Sequence, residues 1–205
     1  MAQVIKKRQG RPPTMENPRG RILDEAAALF ARDGYESASL GSLADAVGVT
    51  KAAIYHYYPN KKEIYEAIIV QTLEGLLSHV TRRLDENMTP SEALSSFMSA
   101  HAEYFEANYH GFVTMLVGFG GMENSAFIVD AQKIRRNYEG KLRNIIEHGV
   151  ADGHFRQVDP SVTTRAVLSM LNWMVRWFKP GGERSAVSFA EEYCDLILGG
   201  LRLQT

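Results

Sequence analysis

Residues 39–68 read SLGSLADAVGVTKAAIYHYYPNKKEIYEAI, and their own punctuation divides them into three helical pieces. Ser39 stands before an apolar-periodic run, Leu40–Val47, where its hydroxyl suits an N-cap. Gly48 closes that run, since glycine accepts the left-handed backbone that ends a helix. Thr50 then caps a second short run to Tyr58, and Asn60 followed by Glu63 resembles a capping box for a third. Two short helices joined by Gly48-Val49, with Leu43, Ala44 and Val47 on the inner face, have the form of a helix-turn-helix. In that motif a scaffold helix props a recognition helix in the major groove of DNA.

The second helix carries the chemistry. Thr50-Lys51-Ala52-Ala53-Ile54-Tyr55-His56-Tyr57-Tyr58 packs a cation, three tyrosines and a histidine into two turns. Ile54 and Tyr58, four residues apart, can face the core, but core packing alone explains so many polar tips poorly. Thr50, Lys51, Ala52, Tyr55 and His56 are placed to reach base edges and phosphates, and the alanines allow close approach to the groove. Ser39, at the start of the scaffold helix, joins this DNA-facing set. Lys61 and Lys62 occupy the first turn of the next helix, where cations oppose the macrodipole by roughly 0.3–1 kcal/mol each. A bound phosphate would reverse that balance, and the plain alternative is two solvated lysines. Truncating Tyr55 or Lys61 is therefore expected to weaken DNA binding and leave the fold intact.

Toward the N-terminus, residues 1–18 hold Gly10, Pro12, Pro13 and Pro18 and no apolar periodicity, and they read as a flexible arm. Six cations among the first 21 residues (Lys6, Lys7, Arg8, Arg11, Arg19 and Arg21) face only Glu16. Such an arm can lie in an A·T-rich minor groove, with Arg11 the candidate contact, or can be a solvated tail. The net charge of the 205-residue chain is only −1, so the whole is no polycation. Its 45% apolar content excludes a disordered chain. The single cysteine, Cys194, suits a reducing cytoplasm. No run approaches the ~20 apolar residues that span a bilayer, and no apolar stretch follows the N-terminal charges as in a signal peptide. A soluble, cytoplasmic protein without membrane contact is expected.

Toward the C-terminus the pattern stays helical: roughly Lys61–Leu84, Pro90–Asn108, His110–Phe119, Glu123–Gly149, Asp159–Phe178, and a last helix from Ser185 to Gly199-Gly200. With the first helix from Gly20 to Gly34, this makes an all-α chain of about nine helices. The expected domains are the arm (1–18), a DNA-binding domain (19–65) and a ligand-binding and dimerisation domain (66–205). No lysine or arginine occurs between Leu84 and Gln132, while aromatic and methionine residues crowd that interval. Packing accounts for most such stripes, yet with His101 and Tyr104 as polar tips they also suit an apolar ligand cavity. Glu103 and Glu106 could receive a cationic ligand. Lys133, Arg135, Arg136, Lys141 and Arg143 could instead hold the phosphates of an acyl-coenzyme A, or form a solvated face.

The run RGRILDEAAALFARDGYESASLGSLADAVGVTKAAIYHYYPNKKEIYEAII resembles the DNA-binding domain of the TetR (AcrR) family of transcriptional regulators. GVTKAAIYHYYPNKKEI is the most diagnostic part. The resemblance implies that Tyr55 and Tyr57 touch phosphates or bases and that Lys61, with Lys62 beside it, holds a phosphate. It gives the sequence reading to Thr50, Lys51, Ala52 and His56. Tyr57 stands where many members have histidine and Tyr58 where phenylalanine is usual, departures that bear on the operator sequence and leave the fold alone. The family's C-terminal helices enclose a ligand pocket, for which the candidates are His101, Tyr104, Phe105, Phe112, Met115, Phe119, Tyr138, Trp173 and Arg176. Relatives dimerise through the last two helices, here with Trp177, Phe189, Tyr193 and Ile197. The stretch GVADGHFRQVDPSVTTRAVLSMLNWMVRWFKPGG is similar to members that respond to fatty-acyl-coenzyme A thioesters.

The partners so implied are double-stranded operator DNA in palindromic half-sites, a small apolar or amphipathic effector, and a second copy of the chain. No HExxH, GxSxG or phosphate-binding loop occurs, and no metal or cofactor is expected. The rival readings are an architectural DNA-binding protein without effector and a helical enzyme domain fused to a DNA-binding domain. A ligand-released repressor is the reading the residues favour.

Overall fold

The computed structural model describes residues 17–117 and 126–201. The arm with Arg11 (its first sixteen residues) and the stretch holding Phe119 lie outside the described residues. Among those described, nine α-helices and no strand occur: α1 (Pro18–Asp33), α2 (Leu40–Val47), α3 (Lys51–Tyr57), α4 (Lys61–Arg83), α5 (Pro90–Ala107), α6 (Tyr109–Val117), α7 (Ala126–Ala151), α8 (Pro160–Trp173) and α9 (Ala186–Leu201).

Side-chain caps set the helix starts. Ser39 Oγ accepts from the Ser42 amide and Thr50 Oγ1 from the Ala53 amide, satisfying donors that a helix leaves orphaned. Thr89 and Glu92 form a reciprocal capping box on α5, and Asp159, just ahead of α8, accepts from the Ser161 and Val162 amides of its first turn, with Pro160 at the first helical position. Gly48, at φ 77°, makes the left-handed turn between α2 and α3 that any β-carbon would strain.

Two cores share one helix. Ile22, Leu43, Ile54 and Ile64 centre the first, between α1 to α3 and the front of α4. Phe97, Phe105, Phe112 and Leu142 centre the second, between α5 to α9 and the rear of α4. Each such buried side chain contributes on the order of 1.5–3 kcal/mol. Because α4 supplies Ile64 to Leu73 to one core and Leu76 and Val80 to the other, position 65 falls inside a continuous helix. The halves are further tied by polar contacts. The Tyr65 hydroxyl donates to the Thr114 carbonyl (3.0 Å), and Thr114 Oγ1 donates to the Ala27 carbonyl (3.4 Å).

One helix departs from expectation. The pattern predicts a helix from Asp159 through Phe178, but the α-helix stops at Trp173 and Met174–Arg176 tightens into a 3-10 turn. The Trp177 and Phe178 amides both donate to the Met174 carbonyl (3.1 and 2.8 Å). Met174, Val175 and Phe178 are thereby buried, with Phe178 edge-on to Phe105 at 5.4 Å.

Candidate nucleic-acid interface and effector cavities

Helix α3 is held from beneath by Ile54 and Tyr58, both buried. Its outer side presents Lys51, Ala52, Tyr55 and His56, all exposed, with Tyr55 47% accessible. The Lys51 ammonium stands 5.9 Å from the centre of the Tyr55 ring, four residues on, so cation and phenol travel as a pair. Tyr57 is different: it is half-buried and packs on the first core, its ring edge-on to His56 at 5.2 Å. Ser39 and Thr50 are exposed with their oxygens engaged as caps, and the Ser39 hydroxyl also pairs with that of Ser42 at 2.9 Å.

The two lysines of the α4 first turn separate. Lys62 is exposed and pairs loosely with Glu66 at 3.7 Å. Lys61 turns inward: its ammonium donates to the carbonyls of Tyr35 (2.7 Å), Glu36 (3.2 Å) and Ala38 (3.1 Å). Three donors meet three acceptors, so nothing remains for a phosphate in this arrangement. Lys61, expected to hold a phosphate and to be dispensable for the fold, thus joins the loop before α2 to the first turn of α4. Arg19, unremarked in the sequence beyond its charge, donates to the Tyr57 carbonyl at the end of α3 (3.4 Å) and lies 5.3 Å from the Tyr58 ring centre. The signal for it is physical: the carbonyl-rich end of a recognition helix attracts a cation.

The eight described residues among the nine expected to line one ligand pocket occupy several places. Met115 and Tyr138 line a cavity of about 210 Å³ with Leu73, Leu76, Arg135 and Glu139. Trp173 and Arg176 line a second of about 280 Å³, and the two adjoin through Leu116 and Asn172. Phe105 and Phe112 are fully buried core and border neither. Tyr104 borders a separate cleft near α1. His101 is wholly buried behind Tyr138, its Nδ1 2.6 Å from the Tyr138 hydroxyl, while Nε2 has no partner. Burial drives the His101 pKa down to about 3, so the ring is neutral, and the same burial pushes the Tyr138 phenol well above its ordinary value.

The acids considered as cation receptors are already engaged. Glu103 pairs with His79 (3.0 Å) and with Arg83. Glu106 accepts from the Ala186 amide at 2.7 Å and so caps α9. Of the five cations considered for phosphates on α7, Arg135 borders the first cavity, beside Glu139, while Lys133, Arg136, Lys141 and Arg143 border neither; Arg176, from the turn after α8, borders the second. Trp173 at the end of α8 (63%), Leu196 on α9 (70%) and Trp177 just after the 3-10 turn (39%) are accessible. Trp177 meets Phe189 edge-on at 4.9 Å, and Tyr193 and Ile197 are half-buried beside them.

Among the described residues no helix is long and apolar enough to cross a membrane, and no cluster of His, Cys, Asp and Glu could hold a metal ion.

Comparison with known proteins agrees with both halves. Residues 22–68 match the family described as bacterial regulatory proteins, tetR family, and residues 87–201 match the tetracyclin repressor-like C-terminal domain. The chain is similar to the TetR-family transcriptional regulator PfmR of Thermus thermophilus, at 46% identity and TM-score 0.83 over 89% of this chain and 100% of that one. It is 28% identical to the HTH-type transcriptional repressor KstR2 of Mycolicibacterium smegmatis over 93% of this chain and 95% of that protein. It is also similar, at 25% identity and TM-score 0.76 over 91% of this chain and 98% of that one, to AibR in complex with isovaleryl coenzyme A and operator DNA. A helix-turn-helix with an exposed reading face, a helical effector half and matches that span nearly the whole chain make this protein a member of the TetR family of bacterial transcriptional regulators.

Proposed function

We propose that the protein is a cytoplasmic repressor that grips a palindromic operator as a homodimer and releases it on binding an amphipathic, anionic effector of the acyl-coenzyme A class. The observation that carries this reading is the pair of adjoining cavities between α4, α6, α7 and α8, lined by leucine, methionine, valine and tryptophan side chains together with Glu139, Asn172 and Ser169, and bordered by Arg135 and Arg176. An acyl chain is favoured on the apolar lining, and phosphates on the guanidinium groups, which bind them bidentately. Leu73 and Leu76 bring α4 into the wall, and the same helix supplies Ile64 and Ile68 to the DNA-binding core. A ligand that displaces α4 therefore changes the setting of α3. It acts only by its differential affinity for the two settings, so DNA weakens the effector by the same factor that the effector weakens DNA. The complex of AibR with isovaleryl coenzyme A and operator DNA supports the choice of class.

The homodimer reading rests on the apolar surface of Trp173, Trp177 and Leu196, together with the two-fold symmetry that a palindrome demands. Thermal-shift titration with isovaleryl-, octanoyl- and palmitoyl-coenzyme A, with the free acids as controls, tests the effector class. A concentration-dependent rise in Tm for a thioester supports it, because a ligand confined to the native state stabilises that state. A response to the free acids alone would remove the role given to the arginines.

A further inference from the structure

We infer that Thr114 on α6 is a positioning residue that carries the state of the effector cavities to the DNA-binding half through α1, beside the route through α4. The inference rests on the effector reading of those cavities.

Thr114 is buried, and its two polar groups are held by two different helices. Its carbonyl accepts from the Tyr65 hydroxyl of α4 at 3.0 Å, and its Oγ1 donates to the Ala27 carbonyl of α1 at 3.4 Å. The next two residues serve the cavities. Met115 lines the first, and Leu116 borders both. An occupant that displaces Met115 or Leu116 therefore displaces the turn of α6 that Thr114 belongs to, because a hydrogen-bonded helix moves as a rigid piece.

The two ends of that turn are packed differently. A β-carbon at Gly111 would come within 2.6 Å of Thr72 Oγ1, so α6 lies directly on α4 there and has little room to move. Beside Thr114 a cavity of about 120 Å³, lined also by Phe30, Tyr65, Val113 and Val117, adjoins the contact with α1. A push at Met115 and Leu116 is thus taken up as a swing about Gly111, and the Thr114–Ala27 hydrogen bond passes it to α1.

Helix α1 in turn reaches the recognition helix. Arg19, in its first turn, donates to the Tyr57 carbonyl at the end of α3, and Ile22 and Ala26 share a core with Ile54. A shift of α1 changes the setting of α3 without passing through the first turn of α4. Coupling between sites is reciprocal, so DNA held by α3 opposes the same swing.

The test is a coupling cycle on the full-length protein. Operator Kd is measured by fluorescence anisotropy with and without saturating isovaleryl- or palmitoyl-coenzyme A, for wild type, Thr114→Val and Thr114→Ser. Valine keeps the shape and removes the hydroxyl, and serine keeps the hydroxyl. The ratio of the two Kd values should fall about three- to tenfold in Thr114→Val and recover in Thr114→Ser. Operator Kd without thioester, and thioester Kd by calorimetry, should stay near wild type in both. Hydrogen exchange on the wild-type protein needs no substitution: the thioester should change exchange in residues 23–31 of α1 as well as in α6. An unchanged ratio in Thr114→Val, an equal loss in Thr114→Ser, or exchange changes that spare α1 would each overturn the inference while leaving the effector reading in place. A wild-type operator Kd that ignores both thioesters would remove the effector reading, and this inference with it.

Discussion

The Lys61 ammonium lies 2.7 Å from the Tyr35 carbonyl oxygen and 4.4 Å from the centre of the ring of the same residue. With the Glu36 and Ala38 carbonyls as its other acceptors, it ties the α1–α2 loop to the first turn of α4. The arrangement also explains a cation at a helix N-terminus, where the macrodipole disfavours one: the loop carbonyls supply the compensating negative charge. Lys61→Met keeps the alkyl stem and removes the ammonium. It should destabilise the protein by about 1–3 kcal/mol, since hydrogen bonds to charged groups fall in that range. At about 2–4 °C per kcal/mol for a chain of this size, the loss is visible in a melting curve. An unchanged Tm would show the contact to be ornamental.

Tyr55 should behave in the opposite way. It is 47% exposed on the face of α3 turned away from the core, so Tyr55→Ala should change stability by no more than about 0.5 kcal/mol. Operator affinity, measured by fluorescence anisotropy, should fall about tenfold, as expected for one lost contact of 1–3 kcal/mol. Equal affinity for both proteins would move the reading face elsewhere.

Stability should also depend on pH through His101. The folded chain holds this imidazole neutral down to about pH 3, while the unfolded chain protonates it below about pH 6.5. Between those values the unfolded state binds more protons, so stability falls as pH falls. At 1.36 kcal/mol per pKa unit, roughly 2 kcal/mol is lost by pH 5. His101→Leu removes the proton site and should flatten the profile between pH 6.5 and 5 in urea titrations. A variant with the wild-type slope would assign the pH dependence to other groups.

The outward apolar surface gives a prediction on assembly. Leu196 is 70% exposed, so Leu196→Glu costs the subunit little burial yet places a charge where a partner would pack. Light scattering should report a monomer, with operator binding weakened because one recognition helix engages at a time. A dimer of normal affinity would place the interface on another face.

Much of this was legible in the sequence because it is local. Ser39, Gly48, Thr50 and the Thr89–Glu92 box act within one turn, and the structure has each of them in its capping or turning place. The amphipathic spacing of Ile54 and Tyr58 likewise separates the buried and exposed sides of α3. What escaped depends on partners far along the chain. Nothing near Lys61 in sequence shows that carbonyls some 25 residues earlier will claim it, nor that Glu106 will cap a helix 80 residues later. The ligand residues suffered in the same way: an aromatic stripe reads alike whether its rings fill a core, as Phe105 and Phe112 do, or border a cavity, as Tyr138 does. The end of α8 escaped because a 3-10 turn shares the apolar periodicity of the helix it terminates.

The most direct test of the central claim is an anisotropy titration of a palindromic operator, its half-sites about 34–36 Å apart, with and without isovaleryl-coenzyme A. The account predicts tight, salt-dependent binding to that DNA over scrambled sequence, and a rise in Kd of about 5–150-fold when the thioester is added. Binding indifferent both to DNA sequence and to every acyl-coenzyme A tried would contradict it.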